Sequence, residues 1–180
     1  ERFNTYAKNQ DQSLREASKQ DFLASYETAK QGMNLITTSL EASDPEFAPK
    51  LPGMKYLLNF RMGEALRQLT STKLDISKTA ELVAVYTEVI NYQTDPLKKA
   101  KFSRDLADAL RKGGDCEAAV KLYEKLRETA TEDPDLIAGQ GLCLVNVGFL
   151  TDNKETLQEG LNLIQRFVDV APETHPLKAE

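Results

Sequence analysis

The sequence predicts an all-α protein built as a repeating stack of paired helices. Apolar residues recur at steps of three and four along nearly the whole chain. Prolines interrupt that pattern at near-regular intervals. The one run that could pass for a strand, LVAVY from Leu82, lies inside a longer helical pattern and reads as buried helix.

Taken in order, Phe22, Tyr26, Ala29, Met33, Ile36 and Leu40 alternate steps of four and three, which puts them on one helical face. Leu106, Ala107 and Leu110 repeat the pattern in a later segment, and Ala119, Tyr123 and Leu126 do so in the next. Breaks fall at Asp44-Pro45, Asp95-Pro96, Asp133-Pro134 and Ala171-Pro172. The last three prolines are 38 residues apart and the first gap is 51. Proline lacks an N–H and restricts the residue before it, so it ends one helix or opens another. A fixed period of this size holding two helices is the mark of a helical solenoid.

Composition narrows the function classes. The 180 residues are 41% hydrophobic and 28% charged, with a formal net charge of -5. That balance speaks against general nucleic-acid binding, which draws on a basic surface. No apolar run reaches the roughly 18 residues that a membrane-spanning helix needs, so no direct membrane insertion is expected. The chain begins at Glu1 without methionine and reads as a processed or trimmed form.

The stretch FSRDLADALRKGGDCEAAVKLYEKLRETATEDP resembles a tetratricopeptide repeat. Leu106, Ala107 and Leu110 match the first helix of that family's unit, Gly114-Asp115 its turn, and Ala119 and Tyr123 its second helix. Ser103 departs from it, where a large aromatic is usual, and the closing proline is displaced to Pro134. Flanking units match in a shared way: Met62, Gly63 and Leu66 lead to Leu82, Tyr86 and Val89. Gln140, Gly141 and Leu144 lead to Gly160, Ile164, Phe167 and Pro172. Both have 19 residues between the first-helix glycine and the second helix's small-residue position, against 12 in the middle unit. About seven extra residues are therefore expected at the hairpin turns, near Thr70–Leu74 and Phe149–Asn153. Around Gly32, QGMNLITTSLEASDP echoes EGLNLIQRFVDVAP at Gly160, marking a degenerate earlier unit.

The resemblance implies a right-handed superhelix of about four antiparallel helix pairs within one domain, 1–180. Its units would be a degenerate 1–45, then about 54–96, 100–134 and 134–172, truncated at both ends. Gly63, Ala107 and Gly141 are expected to let the paired helices approach, with Tyr86, Tyr123 and Ile164 filling the space beside them. THPLKAE at Thr174 repeats TDPLKKA at Thr94, where a first helix begins. The array thus stops as another helix should start, so a continuation has been trimmed or another chain covers Phe167 and its neighbours.

Catalytic signals are missing. Neither phosphate-cradling glycine loops nor H-E-x-x-H occurs, no metal set is apparent, and no cofactor is expected. The single histidine, His175, sits in a proline-flanked loop and reads as a solvated side chain. Glu124, Glu128 and Glu132 beside Lys121, Lys125 and Arg127 read as an ion-paired solvated face. Two cysteines stay open between two readings. Cys116 and Cys143 are two small buried hydrophobes, or, in the repeat geometry the resemblance implies, they come close enough for a disulfide.

By that resemblance the first helices line a concave surface that binds extended peptides or a partner helix. Its expected lining is Phe60, Arg61, Glu64, Arg67 and Gln68, then Lys101, Arg104, Asp108, Arg111 and Lys112, then Asp135, Leu142, Val145 and Asn146. Cations outnumber carboxylates there, which favours an acidic segment of a protein or peptide; the alternative is ordinary solubilising charge. Lys101 falls where one lysine of a chaperone-tail clamp would, yet Asp105 stands where its arginine belongs, so that clamp is not expected. The expected role is a non-catalytic adaptor, scaffold or assembly factor. Self-association as a homo-oligomer through the C-terminal helix is the second reading, and a ligand-binding or transport-associated helical component the third. Cysteine placement, the missing start and a Thr/Asn/Gln-rich surface lean towards a bacterial cell envelope or periplasm, with an anchor or signal removed; a cytoplasmic adaptor is the alternative.

Overall fold

The computed structural model describes residues 12–40 and 46–178. Among the described residues there are seven α-helices and no strand. They are α1 Gln12–Leu35, α2 Leu51–Ser71, α3 Thr79–Tyr92, α4 Pro96–Gly113, α5 Cys116–Arg127, α6 Pro134–Leu150 and α7 Lys154–Val170. The chain divides into two compact units, Glu1–Phe102 and Ser103–Glu180, and α4 begins in the first and ends in the second.

Helix starts follow from the aspartates beside the prolines. Asp95 Oδ1 accepts from Leu97 N–H at 2.9 Å as α4 opens on Pro96. Asp133 Oδ1 accepts from the N–H groups of Asp135 and Leu136 at 3.0 and 3.3 Å, with Pro134 in the first turn of α6. Each carboxylate satisfies donors that have no partner inside the helix and places negative charge at the positive end of its dipole. The break at Asp44-Pro45 lies outside the described residues. So do residues 1–11 of the degenerate first unit, whose described part is the single uninterrupted helix α1 and a π turn at Ile36–Leu40.

In the first unit, α1 packs on α2 and α2 on α3. Tyr26, Ala29 and Ile36 are buried, as the helical face through Phe22 predicts. Leu66 and Leu69 of α2 and Leu82, Tyr86 and Val89 of α3 are closed off from solvent. Burial of each such side chain contributes roughly 2 kcal/mol. In the second unit, α5 packs on α6 and α6 on α7. Leu106, Ala107 and Leu110 of α4 are buried, as are Ala119 and Tyr123 of α5 and Ile137 and Cys143 of α6. Phe167 and Ala171 complete this core against Ile137 and Ala138.

Three hairpins, α2–α3, α4–α5 and α6–α7, end their first helix in the same way. A residue with left-handed backbone follows: Lys73 (φ 56°), Gly114 (φ 99°) or Asp152 (φ 51°). The next N–H then bonds five residues back, Leu74 to Leu69 O, Asp115 to Leu110 O and Asn153 to Gly148 O, each at 2.9 Å. This is the Schellman closure of a helix end. Asp115 and Asn153 also turn their side chains forward to cap α5 and α7. Only Gly114 announced the closure in the sequence, because Lys73 and Asp152 adopt a backbone that glycine takes more readily.

The extra residues expected at two hairpin turns are distributed differently in the two. After α2 they do form a connection, Thr72 to Lys78, containing a single 3-10 turn that Asp75 caps through Ser77. In α6–α7 they lengthen both helices instead. α6 continues nine residues past Gly141 where α4 continues six past Ala107, and α7 begins six residues before Gly160 where α5 begins three before Ala119. FLTDNKETL propagates helix on either side of a short turn because Asn153 supplies the cap there.

Candidate functional site

Two of the expected lining pairs belong to a motif that recurs between hairpin partners. In the first unit, Tyr86 of α3 donates its hydroxyl hydrogen to Glu64 Oε1 at 2.5 Å, and Arg67 holds the same carboxylate through Nε and Nη2 at 3.2 and 2.9 Å. In the second, Tyr123 of α5 donates to Asp108 Oδ1 at 2.5 Å, while Arg111 Nε donates to the tyrosine oxygen at 3.3 Å. Both carboxylate–arginine pairs are spaced i, i+3 inside matching strings, MGEALRQ and LADALRK. At the aligned third position, QGLCLVN, every member is replaced: Leu142 for the carboxylate, Val145 for the arginine and Ile164 for the tyrosine.

Small residues permit these approaches. A Cβ on Gly63 would meet the Tyr86 ring at 2.9 Å, and one on Gly141 would meet Ile164 Cδ1 at 2.9 Å, as the sequence predicts for those two units. Tyr123 has an additional neighbour, since a Cβ on Gly139 would lie 2.5 Å from its ring. The tyrosine is thus wedged between α4 and α6.

Electrostatics hold the triads charged where charge is needed. Burial raises the Tyr123 phenol, and the Asp108 carboxylate raises it further, so it stays a donor. Burial works against the Arg111 charge, but Tyr123 and Asp108 outweigh it and leave the guanidinium more basic than usual. Burial likewise opposes ionisation of Glu64, yet bonds from Arg67 and Tyr86 bring its carboxyl below the ordinary range. Ser77 and Lys19 do the same for Asp75 against a smaller desolvation. A carboxyl depressed in the folded state stabilises it fully above the unfolded value, near 4.3 for Glu, and that contribution disappears as pH falls through the folded value. Stability to urea is therefore expected to fall from pH 5 to pH 2 with a slope that Glu64→Gln reduces; an unchanged slope would remove Glu64 from the account.

Fewer of the lining cations face solvent than their number suggests. Arg67 and Arg111 are held in the triads. Arg104 Nη2 pairs with Asp133 and Asp135 at 2.7 and 3.1 Å. Lys101 is exposed and lies over the Phe102 ring, with Nζ 5.4 Å from its centroid. Phe60 is half-buried, edge-on to Phe102 and near Tyr56. Arg61, Lys112 and Asn146 are exposed. Arg127 also departs from the solvated face predicted for it, being half-buried and bonded to the buried Gln140 at 2.5 Å.

Within the second unit, individual side chains connect α4 to α6. Arg104 meets Asp135 near their starts, and Asp108 and Arg111 act electrostatically on Cys143 further along. Leu142 (43% exposed), Asn146 and Phe149 (75% exposed) share the outer side of α6. At the chain's end, His175 Nε2 lies 3.1 Å from Asp135 Oδ1 and its ring sits edge-on to Phe167. That pins the terminal turn to α6, where the sequence suggested a solvated loop.

Among the described residues no cluster of His, Cys, Asp or Glu is arranged to hold a metal ion, and no helix is long and apolar enough to cross a membrane. Compared with protein-family models, curated proteins and solved structures, the chain matches none.

Proposed function

We propose that this chain is a non-catalytic helical repeat module of the tetratricopeptide type, which holds a segment of a partner protein on the face of its first helices. What carries this reading is the recurrence of one construction in successive hairpins: the same Schellman closure three times, and the same tyrosine-to-carboxylate bond twice, with an arginine on the carboxylate in one and on the tyrosine in the other. Matching helix closures and matching tyrosine–carboxylate bonds at corresponding positions favour hairpins that stack with one repeated rotation, as a superhelix requires. Triads of this kind fix the hairpin and leave neighbouring residues on the same helices for contact. In the second unit those neighbours are Lys112, Leu142, Asn146 and Phe149. Apolar side chains beside a cation suit an amphipathic partner segment carrying an acidic residue.

The test uses the immobilised chain, a cell lysate at two salt concentrations, and the variant Lys112→Glu/Leu142→Asp. Arg104 and Arg111 are avoided because reversing either breaks internal pairs and confounds binding with stability. A partner retained by the native chain, weakened by salt and lost by a variant that still melts normally supports the reading. Capture of the same proteins by the variant sinks it. Self-association is the second reading, favoured by Leu161 and Val168, each 47% exposed on α7. Sedimentation of the same samples distinguishes it, because a mass that rises with concentration belongs to that alternative.

A further inference from the structure

Cys116 is the first residue of α5 and Cys143 lies within α6, and these helices pack together. Both side chains are buried, Cys116 at 9% exposure and Cys143 at 0%. Both thiols are free, and Cys116 is close enough to Cys143 to help push the Cys143 thiol up. Neither cysteine is demanded by the repeat. Position for position, Cys143 stands where Ala65 and Ala109 stand in the other units, and Cys116 where Thr79 and Leu157 stand. Alanine therefore fills the first site without sulfur, and a dissimilar pair fills the second. Two replaceable positions that bring two sulfurs close together suggest chemistry in addition to packing.

We propose that Cys116 and Cys143 are a reversible dithiol–disulfide pair, oxidised by small-molecule disulfides of the glutathione class that enter through Cys116. Access decides the order. Cys116, at the first turn of α5, retains 9% exposure, while Cys143 is sealed. The Cys116 thiolate attacks one sulfur of the disulfide RSSR, forming Cys116–S–SR and releasing RS⁻. Cys143 then gives up its proton and attacks Cys116 Sγ, expelling the second RS⁻. The two protein thiol protons end on the two released thiolates. Two protein thiols are oxidised by two electrons, and RSSR is reduced to two RSH. Burial and the Asp108 carboxylate hold Cys143 protonated, and Arg111 opposes this. The second step is accordingly the slower one, which lets the mixed disulfide accumulate.

This inference is independent of the partner-binding reading. Reduced, folded protein is equilibrated with glutathione and glutathione disulfide at a series of ratios, quenched with acid, alkylated in denaturant and weighed. Expected are loss of both alkylation sites together, a linked peptide pair containing Cys116 and Cys143, and a melting midpoint raised by about 10 °C from closing the intervening loop. Cys143→Ala is expected to stop at one glutathione adduct on Cys116, and Cys116→Ala to take up none. Circular dichroism checks that both variants remain folded. Two thiols that stay alkylatable at every ratio would overturn the proposal. A bridge that lowers the midpoint, or an adduct on Cys143 as fast as that on Cys116, would do so equally.

Discussion

Gly148→Ala is expected to destabilise the second unit by about 3 kcal/mol or more, although alanine favours helix over glycine by about 1 kcal/mol. The sign is decided at the α6–α7 crossing. A Cβ on Gly148 would lie 2.5 Å from Leu157 N and 2.7 Å from Leu157 Cα, which is main chain and cannot rotate aside. Gly160 faces the reverse approach, since its Cβ would lie 2.6 Å from Val145 N. Beyond these contacts Gly141 admits Ile164, so the two helices touch nearly backbone to backbone. Adding one methyl group must push them apart along much of their length, exposing Ile137, Ala138 and Phe167 where they pack together. The control is Gly53→Ala, whose Cβ would meet only the Tyr92 hydroxyl at an ordinary 3.8 Å. It is expected to leave stability unchanged or raise it slightly. Urea unfolding of both variants compares them directly, and a Gly148 variant as stable as the native chain would show that the crossing is looser than its distances imply.

Much of this architecture was legible in advance. Apolar spacing gave the helices, and Asp95 and Asp133 beside their prolines gave two of the starts, because a carboxylate at that position has few other uses. Gly63 with Tyr86 and Gly141 with Ile164 also met as the pattern implied. The distribution of extra residues in the turns did not follow from spacing. A count of residues cannot say whether they extend a helix or a connection until the cap is located, and Asn153 rather than the phenylalanine end supplies it. Charge was the least legible property. Arg104 finds Asp133 and Asp135 across sequence separations of 29 and 31, and only the tertiary fold brings them together. Glu64–Arg67 and Asp108–Arg111 stand out in the sequence as i, i+3 pairs, whereas spacing alone gives their tyrosines only a space-filling role. The signal was available in MGEALRQ and LADALRK, where the same three chemical types recur and vanish together in QGLCLVN.

That joint disappearance leads to the second large effect. Tyr123→Ile, alone, is expected to cost about 4 kcal/mol. It empties the space against Gly139 and removes the hydroxyl donor from Asp108, leaving a half-buried carboxylate less well satisfied. Asp108→Leu alone strands the buried Tyr123 hydroxyl with only the longer bond from Arg111, and Arg111→Val alone removes that bond. The α6–α7 hairpin has Leu142, Val145 and Ile164 at the corresponding positions, with Leu142 43% exposed. The combination Asp108→Leu/Arg111→Val/Tyr123→Ile is therefore expected to be more stable than the sum of its single variants by about 2 kcal/mol, because replacing a whole buried polar set is far less costly than breaking it. Full recovery is not expected, since the α6–α7 hairpin has Gly141 beside its isoleucine where the α4–α5 hairpin has Ala107. Unfolding free energies of the three singles and the triple decide it. Additive losses would mean that the aligned positions do not share one environment, and the repeat reading would fail with them. Positive coupling of the expected size would make the triad an interchangeable part, polar in two hairpins and apolar in the third.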